Sequence, residues 1–221
     1  MLRLLFEKKG NAIWISHLDL MRVFQRSFQR AELPLTHTKG FNPRPSVSIA
    51  LPLSVGIESD CELLDFDLEG EQKPSCEEIR DRLNEKLIAG VRVLEVYDTG
   101  AKIKFLSLLR SRLVLEYDGG VPETAVSSLE ALFAREQLVV EKKGKGGKIT
   151  DQNLIPMIRS LTVCKTGETE VTMELLGCCQ NPTLNPMQLP AAIEKYLPEL
   201  KPDFVTCSRL EIYYEDNTIF R

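Results

Sequence analysis

Residues 16–31 read SHLDLMRVFQRSFQRA, and this segment indicates the fold most clearly. Ser16 is a favourable helix N-cap and Asp19 follows three positions later, a variant of the capping box. The helix must end before Pro34, because proline cannot continue a helical hydrogen-bond ladder. On a helical projection, one side carries His17, Leu20, Met21, Phe24, Phe28 and Ala31.

Alternation of apolar and polar residues predicts strands around this helix. One strand covers residues 1–9 before the helix, and two more cover residues 46–51 and 61–68 after it. An amphipathic helix over 74–89 and a strand over 91–96 follow. The resulting order, β-α-β-β-α-β, is that of a ferredoxin-like unit.

The same order nearly recurs in the second half of the chain. We therefore predict an α+β fold of two tandem ferredoxin-like units with antiparallel sheets. The first domain is predicted to cover residues 1–98 and the second residues 111–221, with an insertion near 144–158. The second domain is predicted from a strand over 112–117, a helix over 122–135, a strand over 138–142, a hairpin over 161–176, a helix over 185–197 and a strand over 207–214.

Charge is unevenly distributed in this chain, whose net charge is −4. Residues 1–50 hold eight Lys/Arg against three Asp/Glu, a net +5, whereas residues 58–87 hold eleven Asp/Glu against four Lys/Arg, a net −7. A basic end on a mildly acidic protein can steer an anionic partner to that end. Alternatively, the two segments lie side by side and neutralise each other.

The first candidate binding feature is a stripe of three arginines. Arg22, Arg26 and Arg30 recur every four residues on the polar side of the predicted helix. Because the guanidinium fork matches phosphate oxygens, such a stripe can contact successive phosphates. The alternative is an ordinary solvated helix face.

The second candidate feature is the loop over residues 34–45, which prolines bound on both sides. It contains His37, Lys39, Phe41 and Arg44, and an aromatic ring among cations is typical of a surface that stacks a base and binds its phosphate. In the alternative, Phe41 packs into the core of an ordered surface loop.

Both histidines of the chain lie in this region. His17 and His37 are candidates for a general acid/base pair in RNA cleavage, because imidazole titrates near neutral pH. The alternative for His17 is a structural role on the apolar helix face. A third basic segment, residues 142–148, lacks the spacing of a Walker phosphate loop and is predicted to be a cationic hairpin tip.

The sequence offers no cofactor site of its own. The six cysteines show no CxxC spacing, so we predict free thiols, no iron–sulfur cluster and no metal site. No apolar run is long enough to span a membrane, and the first residues are too short and too soon charged for a signal peptide. We expect a cytoplasmic protein.

Several motifs resemble those of the radical SAM-linked protein family, whose members are encoded beside, or fused to, a radical S-adenosylmethionine protein. The resemblance is dense over residues 3–70 and rests on Ser16-His17-Leu18-Asp19, Arg26, Arg30, Pro34, the segment Gly40-Phe41-Asn42-Pro43-Arg44-Pro45 and the segment Leu53-Ser54-Val55-Gly56-Ile57-Glu58-Ser59. It implies an accessory protein without an assigned reaction, whose radical chemistry is carried by a separate enzyme.

Three functional hypotheses follow. The leading one is a non-catalytic subunit that recognises RNA for a radical SAM partner. The second is a metal-independent ribonuclease that uses His17 and His37, and the third is an adaptor that contacts only the protein partner. The residues expected to bind RNA are Arg22, Arg26, Arg30, His37, Lys39, Phe41 and Arg44.

Overall fold

The computed structural model describes residues 1–143, 147 and 149–221. These residues form two compact units, one of Met1–Phe105 with Arg221 and one of Leu106–Phe220. The boundary lies between the two domains predicted from the sequence. Together the described residues hold four α-helices and ten strands, an α+β fold whose sheet pairings are antiparallel.

The first unit contains its elements in the predicted order. Its strands are arranged β4-β1-β3-β2. Both α-helices begin at a serine whose hydroxyl accepts a hydrogen bond from the backbone N–H three residues later. The elements are β1 (Leu2–Lys8), α1 (His17–Arg30), β2 (Val47–Ile49), β3 (Glu58–Phe66), α2 (Cys76–Asn84) and β4 (Val91–Asp98).

The second unit has a four-stranded sheet and a separate hairpin. The sheet order is β10-β5-β9-β8, and β6 pairs with β7 outside this sheet. The elements are β5 (Leu108–Glu116), α3 (Ala125–Phe133), β6 (Val139–Lys143), β7 (Ile149–Asn153), β8 (Ile158–Lys165), β9 (Glu170–Cys178), α4 (Gln188–Tyr196) and β10 (Phe204–Tyr213).

One predicted strand of the second unit lies outside its main sheet. The strand predicted over 138–142 exists as β6, but its partner is β7 and not a strand of the main sheet. A hydrogen bond of 2.9 Å from the Leu138 backbone N–H to Asn153 Oδ1 fixes the base of this hairpin. β6 ends where the insertion predicted near 144–158 begins, and β7 lies within it.

The core of the first unit confirms the predicted apolar face of α1. Phe24 and Phe28 are fully buried, with ring centroids 4.7 Å from Phe6 and 4.9 Å from Phe66, respectively. His17 is half-buried at the start of this face. Burial of four aromatic rings between α1 and the sheet contributes about 1.5–3 kcal/mol per side chain and fixes the orientation of the helix.

Three further features concern the described residues. All six cysteines are free thiols, of which Cys164 is exposed. No group of three or more His, Cys, Asp and Glu residues in the described ranges is placed to hold a metal ion. None of the described helices is both long and apolar enough to cross a bilayer.

Candidate nucleic-acid interface

The loop predicted to bind RNA is an ordered hairpin, here called the 34–46 hairpin. Its two sides are joined by backbone hydrogen bonds from Thr38 N–H to the Arg44 carbonyl, at 2.8 Å, and from Ser46 N–H to the Thr36 carbonyl, at 2.7 Å. The Arg44 N–H also donates to Thr38 Oγ1 at 3.1 Å. A further bond from Thr36 N–H to the carbonyl of Asp67 fixes the base of the hairpin beside β3.

The tip of this hairpin presents an aromatic ring to solvent. Phe41 has a relative exposure of 106%, so the alternative in which its ring packs into the core is wrong. Gly40 precedes it with φ +142°, a backbone conformation that residues with a side chain rarely adopt. Lys39 and Arg44 are both exposed on either side. The ring and the two cations are thus exposed at the tip of a hairpin whose two sides are joined by hydrogen bonds.

The three arginines of α1 are all exposed but differ in their contacts. Arg22 pairs with Asp19 at 2.7 Å, and the Ser16 hydroxyl together with Arg22 lowers the pKa of Asp19 below its usual value. Arg30 donates to the Lys86 carbonyl after α2 at 2.9 Å. Within the described residues, the Arg26 guanidinium has no ion pair or hydrogen bond. Arg26 is therefore the member of the stripe available to a ligand.

A groove lies between α1 and the 34–46 hairpin, and Arg26 and His37 both line it. The groove has a volume of about 470 Å³. His37 Nδ1 lies 3.5 Å from Glu69 Oε1, and both residues line the groove. The lining residues are Gln25, Arg26, Phe28, Gln29, Leu33, Pro34, Leu35, His37, Pro45 and Glu69.

The groove does not include the second histidine. His17 lies in the first turn of α1, about 12 Å along the helix axis from the level of Gln25, the first groove residue on that helix. Of the two histidines, only His37 lines the groove with Arg26.

The basic charge of residues 1–50 is partly neutralised by the acidic segment 58–87. Arg3 is buried and forms a bidentate salt bridge with Asp65, in which Nε donates to Oδ1 at 2.6 Å and Nη2 donates to Oδ2 at 3.1 Å. Lys9 pairs with Asp60 at 2.6 Å and with Glu7 at 3.0 Å, which raises its pKa.

Lys8 is also unavailable to a ligand, because it is buried and donates to the carbonyls of Ile13 and Ile15. Among the described cations of residues 1–50, those without an ion pair or side-chain hydrogen bond are Arg26, Lys39 and Arg44.

Sequence reasoning missed the polar residues that line the groove together with Arg26. Gln25 and Gln29 were not among the residues expected to bind RNA, although both line the groove. Glu69 was counted only as part of the acidic segment. Its position follows from backbone pairing of Glu69 N–H with the Pro34 carbonyl, at 2.8 Å, a contact between residues 35 positions apart that periodicity cannot reveal.

Two other polar regions belong to the second unit. A pocket of about 540 Å³ contains Arg110, whose guanidinium lies 5.5 Å from the Tyr213 ring centre, and Arg159, which pairs with Glu215. The cationic tip predicted over 142–148 includes Lys145 and Lys148, which lie outside the described residues.

Comparison with known proteins identifies the family. The sequence model of the family described as "Uncharacterized protein conserved in bacteria (DUF2344)" matches residues 1–186. The chain belongs to this family. Its description assigns no reaction and names no radical SAM partner. No curated protein matches the chain.

One solved structure has a similar fold, and a second is matched at a lower score. A chain in the "Crystal Structure of a Cbf5-Nop10-Gar1 Complex" is 8% identical with a TM-score of 0.52, and the match covers 99% of this chain and 51% of that one. The second, from the "Crystal structure of the archaeal box H/ACA sRNP Nop10-Cbf5 complex", is 8% identical with a TM-score of 0.45, covering 94% and 46%. This family member thus spans about half the length of these chains.

Proposed function

We propose that this family member recognises single-stranded RNA through the tip of the 34–46 hairpin and Arg26. The observation that carries the proposal is the fully exposed ring of Phe41 between the unpaired cations Lys39 and Arg44. The exposed ring makes no packing contact in the core, so its face is free to stack on the base of a ligand, and the cations beside it can bind the phosphates of that ligand.

The chemistry of the tip favours a single strand over a duplex. Stacking on Phe41 requires a base whose face is free, and in RNA such bases occur in loops, bulges and ends. Lys39, Arg44 and Arg26 then bind phosphates on either side of that base. Because hydrogen bonds already hold the hairpin, little conformational entropy is lost when it binds.

The other predicted RNA-binding residues have smaller roles in this proposal. Arg30 is held by a backbone carbonyl, and the charge of Arg22 is offset by Asp19. His37 lines the groove next to Arg26 and is expected to contact the strand without catalysing its cleavage.

Charge reversal at Arg26 tests the proposal. A labelled single-stranded RNA of twelve nucleotides is titrated with the native chain and with Arg26→Glu at low salt, and binding is followed by fluorescence anisotropy. Because a charge-assisted hydrogen bond contributes about 1.5–3 kcal/mol, we expect affinity to fall at least tenfold. The matched control is Arg92→Glu, an exposed arginine on β4 outside the interface. No RNA binding by the native chain, or equal losses in both variants, would contradict the proposal.

We further propose that the RNA is presented to a separate radical SAM enzyme, as the sequence resemblance implies. Purification of the chain from its native cells after nuclease treatment tests this partnership, and recovery of such an enzyme is the expected result. Degradation of RNA by the purified chain in the presence of chelator, abolished by His37→Ala, would instead favour the ribonuclease hypothesis.

We also propose that both units are ferredoxin-like. The support is the common strand order: the fourth strand pairs with the first, the first with the third and the third with the second. In the second unit this order holds when the β6–β7 hairpin is treated as an insertion between α3 and β8.

A further inference from the structure

We infer that the groove between α1 and the 34–46 hairpin binds an unpaired adenine base of the RNA strand. This inference rests on the proposed function and deepens it, because it gives the interface a sequence preference. Its basis is the combination of an apolar floor, two amide side chains and one guanidinium in a single groove.

The floor of the groove suits a flat ring. Phe28, Leu33 and Leu35 line it but are at most 7% exposed, so the apolar surface open to a base comes mainly from the more exposed Pro34 and Pro45. Its volume of about 470 Å³ lies within the range of about 300–1,000 Å³ that is usual for small-ligand sites. A purine covers more of this apolar surface than a pyrimidine, so the larger base gains more from burial.

The rim of the groove suits the edge of adenine. Gln25 and Gln29 are one helical turn apart on α1, so their side chains point to the same side. Neither amide has a hydrogen-bond partner within the described residues. Each amide offers one acceptor and two donors, and adenine presents an amino donor beside a ring-nitrogen acceptor that a glutamine can bind at two points.

The charges of the groove determine which part of the nucleotide enters it. Glu69, beside His37, disfavours a phosphate deep in the groove. Arg26 lies on the exposed face of α1 and lines the same groove, so it can bind the phosphate of the nucleotide whose base is inserted. On the edge where adenine offers its amino donor beside the N7 acceptor, guanine offers two acceptors, which one amide cannot match at two points. Uracil is smaller and covers less of the groove.

The test compares two RNAs and two variants. The native chain is titrated with a twelve-nucleotide uridine strand and with the same strand carrying one internal adenosine. We expect the adenosine strand to bind at least about fivefold more tightly. The double variant Gln25→Ala/Gln29→Ala should lose this preference and keep its affinity for the uridine strand. Gln72→Ala, an exposed glutamine outside the groove, should keep both.

The possible outcomes separate this inference from the proposed function. If neither strand binds, both fail. If both strands bind equally to the native chain, or if the preference persists in the double variant, the groove inference is overturned while RNA recognition by the hairpin stands. A strand with guanosine at the same position that binds more tightly than the adenosine strand would also overturn it. Circular dichroism of the double variant checks that its fold is retained.

Discussion

Removal of the Phe41 ring should separate binding from stability. The ring is fully exposed, so Phe41→Ala deletes no core packing, and its free energy of unfolding should stay within about 0.5 kcal/mol of the native value. Stacking of one base on an aromatic side chain contributes about 1–3 kcal/mol. We therefore expect Phe41→Ala to weaken single-stranded RNA binding by a factor of roughly 5 to 150.

The assay is fluorescence anisotropy at low salt with a twelve-nucleotide strand, alongside urea unfolding of each variant. Phe41→Trp should retain or increase affinity, because the larger ring still stacks. Phe204→Ala is a suitable control, since that ring is 59% exposed in the second unit. If Phe41→Ala binds RNA as tightly as the native chain, the ring does not stack a base and the proposed role of the hairpin tip is refuted.

Two further predictions concern the interior. Asp65→Ala leaves the Arg3 guanidinium buried without its carboxylate, so the free energy of unfolding should fall by about 3–5 kcal/mol. Urea titrations measure this loss, and an unchanged unfolding midpoint would exclude a structural role for the Arg3–Asp65 pair. Burial raises the pKa of both Cys179 and Cys207 to about 11, so at pH 8 roughly one in a thousand of these thiols is ionised. A thiol reagent should therefore modify the exposed Cys164 first. Because the pKa of an unfolded thiol is near 8.5, the stability that the two buried thiols contribute is present below that pH and is lost as pH rises towards 11. Rapid modification of Cys164, Cys179 and Cys207 in the native state would contradict the expected order of modification.

Local signals in the sequence predicted the helices well. The Ser16 hydroxyl accepts the Asp19 N–H at 3.2 Å, and α1 ends at Arg30, before Pro34, because capping and proline effects act within a few residues. The turn near Gly167 likewise joins β8 to β9 as expected, with Thr166 N–H bonded to the Glu170 carbonyl. Such features depend on neighbours in the chain and are visible without a structure.

Pairing between distant residues could not be predicted in the same way. The pattern of residues 138–142 specifies a strand but not its partner, and the partner is β7. Arg3 was counted among the basic residues of segment 1–50. In the sheet it lies opposite Asp65 across β1 and β3, and its side chain is buried. The exposed face of α1 was identified, but the contact of Arg30 with the Lys86 carbonyl depends on where α2 ends.

The salt dependence of RNA binding is the most direct test of the claim that Arg26, Lys39 and Arg44 bind the strand. For single strands, the slope of log affinity against log salt is about −0.7 per neutralised phosphate, so three contacts predict a slope near −2 for the native chain. The triple variant Arg26→Ala/Lys39→Ala/Arg44→Ala should have a slope close to zero. A native slope near zero, or a triple variant whose slope equals the native one, would contradict the claim.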